Sequence, residues 1–195
     1  MKWILSVLGL ISLLIIPAIT SAATFTSDPI ASPTEEWTPS SAVAHYTLLD
    51  DGVRSPTEGN MADNIWATVE QQVADILTLN LPTGNCNITS VVVWGFYSAE
   101  SENRATVAID IGGLNAWSAE QNVPNNNGLN TWFSLTFNGD WDTTGTETLR
   151  VRLTHPTEQA VITIYSLYSV ETYTSSAPST TMKFIKKKKG ITFLN

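Results

Sequence analysis

Thr131-Trp132-Phe133-Ser134-Leu135-Thr136-Phe137, then Asn138-Gly139-Asp140, and further on Leu149-Arg150-Val151-Arg152-Leu153-Thr154, is the stretch that decides the fold. Phe133, Leu135 and Phe137 recur at every second position, with Trp132, Ser134 and Thr136 between them. Leu149, Val151 and Leu153 repeat the pattern against Arg150, Arg152 and Thr154. Side chains of a strand alternate between its two faces, so this period of two marks strands with one face on a core. Asn138-Gly139-Asp140 carries turn chemistry, and a turn is predicted there.

Working outward, Val107, Ile109 and Ile111 alternate with Thr106, Ala108 and Asp110 until Gly112-Gly113 ends the run. Asp75 to Leu81 alternates too, with Leu77, Leu79 and Leu81 on the side opposite Ile76. Ile88 to Tyr97 is continuously apolar, the pattern of a central strand covered on both faces. Pro82-Thr83-Gly84-Asn85 and Asn125-Asn126-Asn127-Gly128 read as turns. Val43 to Leu49 and Asn64 to Val69 are predicted strands, and Ala160 to Glu171 a long last one. Ile65, Val69 and Val73 stand four apart, so Ala62 to Ala74 competes as a helix. Pro29, Pro33 and Pro39 deny a helix to residues 24–41. The sum is an all-β, antiparallel β-sandwich.

The chain ends differ from this body. Lys2, an apolar run from Trp3 to Thr20 and small residues Ser21-Ala22-Ala23 form the layout of a secretory signal peptide, cleaved after Ala22 or Ala23. That predicts a protein secreted or held at the cell surface, touching the membrane only during export. The expected organisation is a helical signal peptide over 1–23, a linker or irregular first strand over 24–34, the sandwich over 35–173, and a linker with a basic tail over 174–195. Seven Trp, six Phe and five Tyr supply large side chains for the core. Cys86 is the sole cysteine, so an internal disulfide is excluded. All 18 acidic residues lie between Asp28 and Glu171, against Arg54, Arg104, Arg150 and Arg152 in the same stretch, which leaves the body at −14. Such a body repels phosphate backbones, so nucleic acid is not an expected partner. Lys183 and Lys186 to Lys189 form a basic tail suited to acidic polymers, membranes or the body itself.

A family resemblance is carried by the order of several short motifs. Glu36-Trp37-Thr38-Pro39, Tyr46, Leu49-Asp50-Asp51-Gly52, Pro56 and Asp63-Asn64-Ile65 open the pattern. Trp132 to Phe137, Leu149 to Thr154 and an aromatic last strand close it. Together they resemble jelly-roll-like sandwich domains of phage virion proteins and secreted bacterial proteins, largely uncharacterised. The resemblance implies a jelly-roll-like fold and an extracellular or virion setting, and it carries no catalytic residues. The signal peptide is a departure that favours a cellular secreted protein over a virion one.

No nucleophile motif surrounds His45 or His155, which read as packing or surface residues, and no catalytic residue is assigned. Glycosidases need two carboxylates flanking the scissile bond, and Asp110 is the only acidic residue in the middle of a predicted strand. The primary reading is a secreted, non-enzymatic protein with a surface-structural or adhesive role, through a glycan or self-association. Three alternatives are a carbohydrate-binding module, a phage virion structural protein and a small polysaccharide-acting enzyme. Trp117, Trp141, Trp94, Asp110, Arg152 and Tyr165 are the candidate ligand-binding residues: aromatic surfaces with polar neighbours suit sugar rings. Asp50, Asp51 and Asp63 bracket one loop with hard oxygen ligands fit for calcium, although Asp-Asp-Gly is also turn chemistry. No other cofactor is expected. Asn87-Ile88-Thr89 fits an N-glycosylation sequon.

Overall fold

The period-two stretches fold as strands of two facing antiparallel sheets. The computed structural model describes residues 21–49, 63–67, 72–100, 105–156 and 161–175, with 185–187 and 190–192. The strands are β1 (Ala22–Ser27), β2 (Pro29–Glu35), β3 (Thr38–Pro39), β4 (Ile65–Ala67), β5 (Val73–Asn80), β6 (Cys86–Ala99), β7 (Thr106–Ile111), β8 (Gln121–Asn122), β9 (Thr131–Thr143), β10 (Thr148–His155) and β11 (Ile162–Ser175). A separate pair, β12 (Ile185–Lys187) and β13 (Gly190–Thr192), forms in the basic tail. Sheet A runs β3-β4-β11-β6-β9, with β1 also on β11, and sheet B runs β2-β5-β10-β7-β8. The fold is the expected all-β, jelly-roll-like sandwich.

The core lies between the sheets and is built from the alternating residues. Leu149, Val151 and Leu153 of β10 face Leu77 and Leu79 of β5 and Val107 and Ile109 of β7 in register. Sheet A contributes Val91, Val93, Tyr97, Phe133, Leu135 and Phe137. Each fully buried aliphatic side chain stabilises the sandwich by about 1.5–3 kcal/mol. Cys86 is buried as a small hydrophobe, its thiol 3.0 Å from the Thr143 hydroxyl.

Several expectations are corrected. Val43 to Leu49 is not a strand: His45–Leu49 forms a one-turn helix, α1. Its buried His45, Leu48 and Leu49 pack toward β2, β4 and β11. The His45 backbone N–H donates to Glu35 Oε1 (2.9 Å), and the His45 ring pairs with buried Asp75. Those tertiary bonds override the local strand propensity. The competing helix over 62–74 does not form, since Ile65–Ala67 is β4 and Val73 opens β5. Of the linker or irregular first strand expected over residues 24–34, the structure has irregular strand: they fall in β1 and β2, with register shifts where Pro29 and Pro33 interrupt β2. Ala22 and Ala23, the predicted cleavage points, lie in β1. The apolar run before them falls outside the described residues, and among the described residues no helix is long and apolar enough to cross a membrane.

The predicted turn at Asn138-Gly139-Asp140 is absent. Strand β9 runs straight through it, and a bulge opposite β6 absorbs the extra residue: Asn138 pairs with Ser90 and Trp141 with Ile88. Gly139 permits this, because a Cβ added there would overlap the Trp141 ring.

Candidate functional site

On a sheet covered on one side, the outward positions are ordinarily polar. Sheet A breaks that rule at one end. Strands β11, β6 and β9 are neighbours, with Tyr168 opposite Trp94 and Phe96 opposite Trp132. The residues between, Val93, Tyr97 and Phe133, are buried in the core, so Trp94, Phe96 and Trp132 project outward. Tyr165 joins them through a bulge between Ile164 and Ser166. That bulge lets Ile164 and Leu167, three residues apart, both face the core.

The outward rings touch one another. Trp94 and Tyr168 are nearly parallel, 6.1 Å between centroids and 6° between planes. Trp132 meets Tyr168 edge-on at 5.6 Å and Phe96 at 5.3 Å, and Tyr165 meets Phe96 at 5.8 Å. Phe96 is buried beneath the others, while Trp94, Trp132, Tyr165 and Tyr168 are half-buried. Each such pair stabilises the cluster by about 0.5–1.5 kcal/mol beyond area burial, so the surface is pre-formed. Burial pushes the Tyr165 hydroxyl above its ordinary pKa, against a hydrogen bond with Thr163. Ser134, exposed on β9, adds a polar neighbour.

The sequence candidates divide among three places. Trp94 and Tyr165 belong to this aromatic face. Asp110 and Arg152 do not share it, which corrects their grouping, because β7 and β10 belong to sheet B. There Trp117 lies half-buried under two guanidinium groups, Arg150 at 5.1 Å and Arg152 at 4.6 Å from its ring centre. Asp110 is 1 % exposed and already committed. It accepts from Arg150 Nε (2.9 Å) and from the backbone N–H groups of Asn115 and Ala116 (both 3.2 Å). Arg152 donates to Glu120 (3.0 Å). Trp117 is therefore a covered ring on a loop tied down by Asp110, and its faces are less open than the sequence suggested.

Trp141 lies in a groove of about 380 Å³ with Ile111, Gly112, Leu114, Asp140, Asp142 and Glu147. Asn87 Nδ2 donates to Asp140 Oδ1 (2.5 Å) and Asp142 Oδ1 (3.0 Å), so the amide of the sequon is engaged in a clamp. Glu147 accepts from the Thr144 hydroxyl (2.8 Å) and from the backbone N–H groups of Thr144, Gly145 and Thr146. Those bonds hold its carboxyl down at about 2. Glu147 stays ionised and cannot serve as a general acid near neutral pH. Asp140 and Asp142 stand on one strand, clamped by one amide, rather than on opposite walls of a cleft as glycoside hydrolysis requires.

The histidines are structural. His45 is buried against Asp75, whose other oxygen accepts the backbone N–H groups of Glu36 (2.7 Å) and Trp37 (2.9 Å). Desolvation raises the Asp75 pKa above the usual carboxylate range. His155 is buried with Trp37 edge-on to it at 6.3 Å. Of the calcium set, Asp50 and Asp51 lie outside the described residues and only Asp63 within them. Among the described residues no group of three or more His, Cys, Asp or Glu is placed to hold a metal ion. Phe96, Trp132 and Tyr168 are the residues sequence reasoning missed. Trp132 was legible as outward from its alternation with Phe133.

No family model matches the chain, and no curated protein matches it in sequence. Solved structures similar to it include the C-terminal family 6 carbohydrate-binding module of a marine laminarinase from Zobellia galactanivorans, with TM-score 0.44 and 10% identity over 76% of this chain and 98% of that one. A family 35 module from Clostridium thermocellum gives TM-score 0.40 and 11% identity over 77% and 97%. The family 32 module of C. perfringens NanJ, solved with galactose, gives 0.41 and 14% over 75% and 93%. Scores of this size carry no functional argument.

Proposed function

We propose that this chain is a carbohydrate-binding module that holds a polysaccharide on the aromatic face of sheet A. The observation that carries the reading is the cluster of Trp94, Trp132, Tyr165 and Tyr168 over buried Phe96, where a one-sided sheet would present polar residues. The C–H face of a pyranose ring packs on an aromatic plane, and the tyrosine hydroxyls and Ser134 supply hydrogen-bond partners at its rim. Rings already fixed by their neighbours lose little freedom on binding. No ionisable carboxylate or amine belongs to the cluster, so binding there is insensitive to salt. The role is recognition without bond cleavage, outside the cytoplasm as the export signal predicts.

The test is affinity electrophoresis of the signal-free chain in gels containing β-glucan, xylan, galactan or chitin. Retardation by at least one polymer is expected. Trp132→Ala or Trp94→Ala should weaken it by about 2 kcal/mol, roughly 30-fold, whereas Trp117→Ala on sheet B should leave it intact. Absence of retardation by every polymer, or retardation unchanged in both face variants, defeats the proposal. A dimer in sedimentation that Trp132→Ala dissociates would instead assign the face to self-association, the adhesive reading of the sequence.

A further inference from the structure

The groove around Trp141 is a second concavity, which shares β9 with the aromatic face but lies at the other end of that strand and is completed by Ile111, Gly112, Leu114 and Glu147. Trp132 and Trp141 lie toward opposite ends of β9, roughly 30 Å apart along a strand that rises ~3.3 Å per residue. Its apolar surface is the half-buried Trp141 ring with Ile111 and Leu114, the latter 79 % exposed. Its polar groups are Asp140 and Asp142, both exposed, and Glu147. An apolar floor with a few converging polar groups is the general form of a small-molecule site. Here the polar groups share one sign.

Three features are pre-built. Gly139 leaves space for the Trp141 ring to lie across the backbone of its own strand. The Asn87 amide fixes the two aspartates by one oxygen each. The Thr144–Glu147 turn fixes the third carboxylate and keeps it charged. Among these groups the Asn87 amide and the Thr144 hydroxyl are already used as donors, and the acceptor oxygens of three carboxylates outnumber the Trp141 indole N–H. A ligand here must therefore bring its own donors and tolerate, or exploit, concentrated negative charge.

We infer that the Trp141 groove binds an amine-bearing sugar unit, a hexosamine with a free ammonium group, as a second subsite separate from the aromatic face. The ring packs on Trp141, its hydroxyls donate to Asp140 and Asp142, and the ammonium lies among the carboxylates and near the face of the indole, where a cation is favoured. Acidic sugars are repelled by the same charges. The inference does not depend on the aromatic cluster of Trp94, Trp132, Tyr165 and Tyr168: either site can fail while the other stands.

The experiment titrates the signal-free chain, at mildly acidic pH, with the β-1,4-linked dimer of glucosamine and with its N-acetylated counterpart, reading the indole N–H resonances and the heat of binding. A short monodisperse probe avoids diffuse attraction of a polycation to the acidic body. The glucosamine dimer is expected to shift the Trp141 indole signal, identified by its loss in Trp141→Phe, and to bind roughly fivefold or more tightly than the neutral dimer. The paired substitution Asp140→Asn with Asp142→Asn keeps acceptors for Asn87 and should remove that preference. Glu100→Gln, an equal kind of charge loss elsewhere on the surface, should not. Equal binding of both dimers, unchanged binding in the paired variant, or an effect of Glu100→Gln as large as that of the paired variant overturns the inference. So does the absence of any shift at Trp141. Loss of polymer retardation in Trp132→Ala with the groove titration intact would separate the two sites.

Discussion

Glu171 is the residue whose replacement tests the electrostatics of the core most directly. It sits on β11 opposite Phe25 of β1 and Val91 of β6, and it is 0 % exposed. The Ser169 hydroxyl donates to its Oε1 (2.5 Å), while Oε2 is buried with no hydrogen-bond partner. Desolvation pushes its carboxyl from 4.5 to about 7, against the Ser169 bond and a backbone hydrogen bond. At 1.36 kcal/mol per tenfold, holding the charged form in place above neutral pH costs about 3 kcal/mol relative to water. The folded state binds the proton more tightly than the unfolded state. Stability is therefore full below pH 4.5, declines as pH rises through the window up to about 7, and is flat above it. Glu171→Gln removes the titration and keeps an acceptor for Ser169. Urea denaturation followed by tryptophan fluorescence should show the variant ahead of the native chain by up to about 3 kcal/mol at pH 8, the gap closing toward pH 5. Asp75, also raised by burial, contributes equally to both proteins and cancels in the difference. A variant that is less stable at pH 8, or whose advantage does not shrink on acidification, refutes the assignment of Glu171 as a buried, strained carboxylate.

Further outcomes follow from the other groups. Arg150→Leu strands Asp110, which is 0 % exposed in its side chain, without its cation, and should cost about 3 kcal/mol or more in chemical denaturation. Gly139→Ala should force the Trp141 ring off the strand, at about 1–3 kcal/mol for an overpacked site, with a changed Trp141 indole resonance as the direct readout. Glu147 should titrate near pH 2 by carboxyl carbon NMR. Its stabilising bonds are present above pH 4.5 and are lost as pH falls through about 2, a dependence that Glu147→Gln abolishes.

What was legible in the sequence followed from side chains with a single job. Leu149, Val151 and Leu153 alternate because one face meets the core and the other does not, and their strand appeared where expected. Ile88 to Tyr97 was legible as a central strand for a partly mistaken reason. Its outward side is apolar because Trp94 and Phe96 belong to the aromatic face, not because a second layer covers them. The bulges were hidden. Tyr165 and Gly139 each break the period of two, and a residue count cannot separate a bulge from a turn. His45 was hidden differently, since its helix depends on Asp75 and Glu35, partners distant or unpaired in the local pattern. Trp117 read as a ligand-binding ring because nothing local shows that arginines from β10 fold over it.

The register of sheet A also decides how this domain hangs from its own chain. Ala22 of β1, Thr174 of β11, Asn87 of β6 and Asp142 of β9 form one row across the sheet. The polypeptide therefore enters and leaves at the same corner, and whatever precedes β1 or follows β11 is moored there. The tryptophan-rich face around Trp94 and Trp132 lies toward the opposite end of β6 and β9, away from the mooring. An object tethered at one corner presents its far end to its surroundings. Both ends of the sandwich thus lie at one end of sheet A and the aromatic face toward the other, so neither end of the sandwich starts beside that face.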